Sequence, residues 1–228
     1  MLGMTDSERK ACGAVRPIDP ITVIECLRSF NSKERFFLIG HALDNPTLKV
    51  GQRFKAMVED RLGISIPDGA FTAMDYHLDW LWASLYLTFD GRAVPGVVSN
   101  TDRVIKAQQE DIDFLIAFPE GSSCRIVLIE AKGATGWTNK QMASKVQRFE
   151  QILGANGTRW PGVVPHFLLL SPRRPQRLNV STWPSWMTVD GEVVWCQLPV
   201  PNGLRKVTRC DPNGKDSQDG LYWKISQR

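Results

Sequence analysis

Apolar side chains recur every three or four positions in the first third of the chain, which is the spacing of one helix face. The pattern covers residues 21–30 and 54–62. A third segment, residues 71–87, is more apolar and carries apolar side chains on two faces, which predicts a helix that is packed on both sides. We therefore expect three helices before any sheet begins.

Beyond a polar stretch around residues 95–100, the pattern changes to short apolar runs of strand length. Two of these runs, 111–118 and 125–131, are separated by a short turn, which predicts an antiparallel hairpin. The remaining predicted elements are a helix at 138–153, a strand at 163–170, a hairpin of 186–189 with 192–198, and a hairpin of 205–209 with 221–225. This order predicts an α/β fold in which helices flank a mixed central β-sheet.

The chain has 228 residues, of which 43% are hydrophobic, and that is enough for one substantial core. We expect a flexible N-terminal arm at 1–20 and a single domain at 21–228, with its core at about 71–170 and β additions after it. The five cysteines are scattered and form no C-x-x-C pair, so neither a disulfide framework nor a zinc site is indicated. No signal peptide and no membrane-spanning run is recognisable, so a cytoplasmic protein without a membrane partner is expected.

Positive charge is concentrated in the middle of the chain, although the net charge is only +4. Residues 132–178 contain eight lysines and arginines against Glu150 alone, which gives 8 − 1 = +7. Such a segment attracts a polyanion, and the alternative is a solvated basic face without a ligand.

Acidic side chains interrupt the two strands of the first predicted hairpin. Alternation along 111–118 places Asp111 and Asp113 on one face of the first strand, near its start. The same alternation places Glu130 and Lys132 on one face at the end of the second strand. Since an antiparallel hairpin sets the start of one strand beside the end of the other, two carboxylates and a lysine are expected to meet.

Hydrolysis of a phosphodiester requires neutralisation of developing charge and an activated water, and carboxylate oxygens are ligands that suit Mg²⁺. We assign Asp113, Glu130 and the backbone carbonyl of Ala131 as metal ligands. Lys132 is assigned as the catalytic cation that orients water or stabilises the phosphoryl oxygens.

Glu130-Ala131-Lys132 is a short motif, and Glu8-Arg9-Lys10 in the polar N-terminal arm also fits it. Glu130-Ala131-Lys132, however, ends an apolar strand, follows Asp113 by 17 residues and precedes an amphipathic helix. This arrangement, over about residues 71–170, resembles the PD-(D/E)XK nuclease superfamily, whose core is a helix, three strands, a helix and a further strand. The chain departs from the family pattern in having Ile112, not proline, before Asp113.

The resemblance implies a restriction-endonuclease-like core and a Mg²⁺-dependent deoxyribonuclease, with Mn²⁺ as a substitute, in restriction, repair or mobile-element defence. It also implies a further acid from a preceding helix, for which Asp79 is a candidate beside Asp75 and Glu59. Gln141 matches a glutamine near the metal on the helix that follows the motif. The polar face of that helix is expected to contact nucleic acid through Lys140, Lys145 and Arg148.

Two other classes of function remain to be weighed. The nuclease fold can serve as a catalytically inactive module that binds nucleic acid or a protein partner, and damaged metal ligands would mark that case. A small-molecule binding protein would need a motif such as a glycine-rich phosphate loop, and the chain contains none. The sequence leaves open whether the substrate is DNA or RNA, whether cleavage is internal or terminal, and whether the chain forms a homodimer.

Overall fold

The computed structural model describes residues 18–30, 34–45, 49–90, 96–107, 110–133 and 136–227, with the side chains of 34–37 left out. Three helices precede the first strand, two further helices are inserted among the first four strands, and the C-terminal third contains strands and one 3-10 turn. The helices are α1 (Pro20–Phe30), α2 (Glu34–Ala42), α3 (Gln52–Leu62), α4 (Leu78–Asp90) and α5 (Asn139–Leu153), with a 3-10 turn at Ser185–Met187. The strands are β1 (Phe71–His77), β2 (Asp111–Glu120), β3 (Ser123–Ala131), β4 (Val163–Ser171), β5 (Thr188–Val189), β6 (Glu192–Val193), β7 (Trp195–Gln197), β8 (Arg205–Cys210) and β9 (Tyr222–Gln227).

A five-stranded mixed sheet in the order β1-β2-β3-β4-β7 forms the centre of the fold. The first three strands are antiparallel neighbours, so β2 and β3 form the predicted hairpin. Strand β4 lies parallel to β3 and β7 lies parallel to β4. Parallel neighbours require a crossover connection, and α5 lies between β3 and β4. The predicted α/β class with a mixed sheet and flanking helices is confirmed.

Helices cover both faces of this sheet. One core cluster joins α1, α4 and α5 to the sheet through buried residues such as Leu27, Leu81 and Val146. The other cluster includes Val58 of α3, packed with Val127 and Ile129 of β3. In β3 the apolar residues alternate between the two clusters as predicted, because successive side chains of a strand point to opposite faces.

The prediction of one helix at 71–87 is wrong in its first half. Residues 71–77 form β1, which pairs with β2, and the helix begins only at Leu78. Apolar residues on two faces are equally typical of a strand that is buried between helix layers, so periodicity alone did not separate the two. His77, which falls within the predicted helix at 71–87, is the last residue of β1.

Regular alternation also breaks near the start of β2. Ile112 packs in the same cluster as Leu115, whereas Phe114 and Ile116 pack in the other cluster. The paired strand shows a matching break, because Asp75 has a left-handed backbone with a φ of 45°. A non-glycine residue rarely adopts this conformation, and here it turns the strand so that Tyr76 enters the core beside Ile112.

The C-terminal third contains two small hairpins. Asp190 and Gly191 both have positive φ and join β5 to β6, as the Asp-Gly turn predicts. The second arm of that hairpin was predicted to run to residue 198, but β7 leaves it and pairs with β4 of the main sheet. The predicted last hairpin is confirmed as a separate two-stranded sheet of β8 and β9.

Three further sequence predictions concern the termini, the thiols and the membrane. The arm was predicted to reach residue 20, yet Pro20 already begins α1, and residues 1–17 lie outside the described part of the chain. Cys26, Cys124, Cys196 and Cys210 are free thiols, and Cys12 is outside that part. Among the helices that the structure describes, none combines the length and the apolar character needed to cross a bilayer.

Candidate active site

The two predicted carboxylates lie at the same end of the β2–β3 hairpin. The last register pair at that end is Phe114 with Ile129, and one step further along the same register Asp113 is opposite Glu130. The backbone N–H of Ala131 donates to Oδ2 of Asp113 at 2.6 Å, which fixes this carboxylate across the strand end. Directly opposed residues of an antiparallel pair have Cβ atoms about 5 Å apart, so the hairpin brings the acids together.

Lys145 of α5 reaches into this pair of acids. Its Nζ forms an ion pair with Oε1 of Glu130 and donates to the backbone carbonyl of Asp111 at 2.8 Å. Only 16% of the Lys145 side chain is exposed. The polar pattern of the helix predicted this lysine on a phosphate-contacting face, and its location beside the carboxylates was not predicted. Its position next to the buried Val146, and three residues after the buried Met142, is the signal that favours an inward location.

Glu130 titrates near neutral pH in this environment. Burial raises the pKa of its carboxyl to about 7, against the opposing effect of the Lys145 charge. The negative charge of Asp113 raises that pKa further, whereas Lys132 lowers it. These effects show that Asp113, Lys132 and Lys145 all act electrostatically on Glu130. The cluster is therefore a buried acid with one acidic and two basic neighbours.

The raised pKa of Glu130 gives the metal-free protein a pH-dependent stability. Because the folded state holds this proton more tightly than the unfolded chain, its contribution is complete below the unfolded pKa and is lost as pH rises through about 7. We expect the free energy of unfolding in EDTA to fall by on the order of 2 kcal/mol between about pH 5 and pH 8. Urea titrations across this range measure it.

The matched variant for that experiment is Glu130→Gln, which stays neutral at every pH. Its stability should change less between the two pH values than that of the wild type. Glu25→Gln, at an exposed position of α1, serves as the control, and its free energy of unfolding should change with pH as that of the wild type does. Equal slopes for Glu130→Gln and the wild type would show that another group carries the pH dependence.

Arg148 and Asp79 form a buried ion pair between α5 and α4, which corrects two sequence predictions. Arg148 is only 4% exposed, so it does not lie on the solvated face where a phosphate contact was expected. Asp79, a candidate metal ligand, accepts from the backbone N–H of Lys106 at 3.1 Å and of Ala107 at 2.8 Å as well as from Arg148. Since these donors occupy both of its oxygens, Asp79 fits a structural anchor for residues 106–107 better than a metal ligand.

The other predicted residues lie around the strand end with different degrees of exposure. Lys132 is half-buried just after β3, and its backbone N–H donates to the carbonyl of Leu170 at 2.9 Å. Ala131 is exposed, and Lys140 is exposed in the first turn of α5. Gln141 is exposed and precedes Lys145 by one helical turn, so the two side chains share one side of α5. The structure thus places the charge of Lys132 within electrostatic reach of Glu130, Gln141 one helical turn from Lys145, and Lys140 at the helix start.

Thr138 explains why α5 begins where it does. Its side-chain oxygen accepts from the backbone N–H of Gln141, and Thr138 has the extended backbone typical of an N-cap. The cap fixes the residue at which the helix begins, so it also determines that Lys145 lies in the second turn of α5.

Of the two other candidate acids, Glu59 accepts from the backbone N–H of Ile66 at 2.7 Å. Asp75 lies on β1 between the register pairs Met74–Phe114 and Tyr76–Ile112, which places it across from Asp113.

The donor set at the strand end is compatible with a hard divalent cation. Asp113 and Glu130 offer carboxylate oxygens and Ala131 offers a backbone carbonyl, which are the oxygen donors that Mg²⁺ prefers. In the described ranges no group of three or more histidine, cysteine, aspartate or glutamate side chains is arranged to hold a metal. Two carboxylates still suit Mg²⁺, because this ion retains several waters and is commonly bound through one or two carboxylates.

Comparisons with known proteins give no family assignment: no protein-family model matches the chain, and neither a curated protein nor a solved structure matches it significantly.

Proposed function

We propose that the chain is a Mg²⁺-dependent nuclease that hydrolyses phosphodiester bonds of DNA. The observation that carries the proposal is the meeting of Asp113 and Glu130 at one strand end, with Lys132 and Lys145 beside them. The two acids favour a divalent cation, and the two ammonium groups favour an anionic substrate. Lys132 and Lys145 of the site belong to residues 132–178, the segment that is richest in positive charge.

The residues of the site divide the chemical work. Asp113, Glu130 and the Ala131 carbonyl would hold the ion, which supplies Lewis acidity and lowers the pKa of water. Lys132, half-buried at the strand end, is suited to orient the attacking water or to stabilise the phosphoryl oxygens. Lys145 keeps the buried Glu130 carboxylate compensated, so it acts as a positioning residue.

A restriction-endonuclease-like core belongs to the same proposal. In support of it, three antiparallel strands are followed by α5 and by β4, which is parallel to β3. Helix α4 is inserted between the first two strands, where the family core has none. We further propose a cytoplasmic location, in which the four described free thiols would stay reduced.

A cleavage assay on several nucleic acids tests the proposal. Supercoiled plasmid, linear duplex, single-stranded DNA and RNA are incubated with Mg²⁺, with Mn²⁺ or with EDTA, and the products are separated on gels. We expect cleavage of DNA with either metal and none in EDTA, since chemistry at this site depends on the ion. Conversion of closed plasmid to nicked or linear forms would identify internal cleavage.

Two outcomes would count against the nuclease. Cleavage that persists in EDTA at the full rate would assign the activity to another site or to a contaminant. Binding of DNA without cleavage under every metal condition would instead favour the catalytically inactive, nucleic-acid-binding module.

A further inference from the structure

The β8–β9 hairpin presents one face of its two-stranded sheet to solvent. In its register Arg205, Val207 and Arg209 of β8 are opposite Gln227, Ile225 and Trp223 of β9. Because successive strand residues alternate in direction, these six side chains share one face. All six are exposed, with exposed fractions of 69% for Val207 and 65% for Trp223. The opposite face is more covered, and it contains the buried Cys210.

We propose that this face, here called the hairpin face, binds single-stranded nucleic acid, with Trp223 stacking on a base and Arg205 and Arg209 contacting phosphates. The inference rests on the proposed function, which it deepens by naming a substrate with an unpaired segment. An exposed indole beside cationic groups is the arrangement with which proteins bind unpaired bases, since every base has a ring face. Arginine is suited to phosphates because of its planar array of donors.

Arg209 and Trp223 form the centre of the hairpin face. They are directly opposite each other in the register, so their Cβ atoms lie about 5 Å apart on the same face. The Nε of Arg209 donates to the backbone carbonyl of Gly220 at 3.0 Å, which anchors the arginine side chain on the hairpin. The pair therefore presents a fixed cationic group next to an aromatic surface.

Charge favours a polyanion over other occupants of this surface. The six residues of the hairpin face include two arginines and no acid. On the other side of the sheet, Lys224 is compensated by Asp216 at 2.7 Å. A second copy docked through the same face would bring two positively charged surfaces together, because a two-fold interface uses the same patch of both copies. An anionic partner with flat apolar rings avoids that repulsion.

Fluorescence anisotropy of a labelled oligothymidine, in EDTA to prevent cleavage, tests the inference. Trp223→Ala should weaken binding about tenfold, since stacking is worth about 1–3 kcal/mol per base. Trp223→Phe should retain most of the affinity. Arg205→Ala/Arg209→Ala should reduce the slope of log affinity against log salt by about 1.4, which is about 0.7 for each phosphate contact to a single strand. Arg53→Ala/Arg103→Ala removes equal charge from exposed positions elsewhere and should change the slope less.

The outcomes separate this inference from the nuclease proposal. If Trp223→Ala binds oligothymidine as tightly as the wild type and the wild type cleaves DNA, the hairpin-face inference is overturned and the nuclease proposal is unaffected. If Trp223→Ala binds oligothymidine more weakly and the wild type cleaves no substrate, the hairpin face is supported and the nuclease proposal fails. A Trp223→Ala effect confined to self-association or to binding of anionic vesicles assigns the face to a second copy or to a membrane surface and overturns the inference. A midpoint of thermal unfolding equal to that of the wild type confirms that each variant is folded.

Discussion

Asp113→Ala and Glu130→Ala are each expected to abolish cleavage and tight Mg²⁺ binding together. Each substitution removes one of the two carboxylates assigned to the ion, and the loss of either leaves too few charged oxygens for tight binding. The loss of cleavage should be at least about 10³-fold, because loss of the ion removes Lewis acidity and water activation at the same time.

Paired measurements and conservative variants make this result specific. Metal binding is followed by calorimetry and cleavage by single-turnover kinetics on the same preparations. Asp113→Asn retains an oxygen that can accept from the Ala131 N–H, so it separates loss of the carboxylate charge from loss of the hydrogen bond. Asp68→Ala, at an exposed acid paired with Lys55, is the control and should leave both measurements unchanged. Wild-type cleavage by Glu130→Ala would remove the strand end as the site of chemistry.

Most of the sheet could be predicted from the sequence because its strands are short apolar runs bounded by turns. The hairpin of β2 and β3 follows from the short turn between the two apolar runs, where Gly121 has a positive φ, and the connection through α5 follows from the amphipathic pattern of residues 138–153. Strand β1 was missed because burial by helix layers gives a strand the apolar content of a buried helix. The pairing of β7 with β4 depends on tertiary contacts that no local signal specifies.

The acids of the site could be predicted, but the partners of the basic groups could not. The meeting of Asp113 and Glu130 could be predicted from strand alternation and hairpin geometry. The break in alternation at Ile112 does not change it, because Phe114 still pairs with Ile129. Lys145 and Arg148 are on a helix whose rotation about its axis depends on packing. Helical spacing identifies a polar stripe, and it does not reveal that long side chains at its border reach inward to buried acids.

Lys132 and Lys145 both act electrostatically on Glu130, and their exposure predicts different consequences of removing them. Lys145 is mostly buried in an ion pair with Glu130, so Lys145→Ala leaves a buried carboxylate without its closest cation and should destabilise the fold. Lys132 is half-buried and follows the end of β3, so Lys132→Ala should change stability little.

Lys132→Ala is therefore expected to slow the chemical step by about 10²-fold or more while metal and DNA binding persist. The ammonium acts on the attacking water or the phosphoryl oxygens, where charge develops only in the transition state, and the loss of one such stabiliser has this scale. Single-turnover cleavage at saturating DNA, beside calorimetric Mg²⁺ binding and thermal unfolding, measures the three effects separately. Lys140→Ala, at an exposed position of the first turn of α5, is the matched control and should cleave at close to the wild-type rate. If Lys132→Ala cleaves as fast as the wild type, Lys132 is not the catalytic cation and Glu130-Ala131-Lys132 is a chance match.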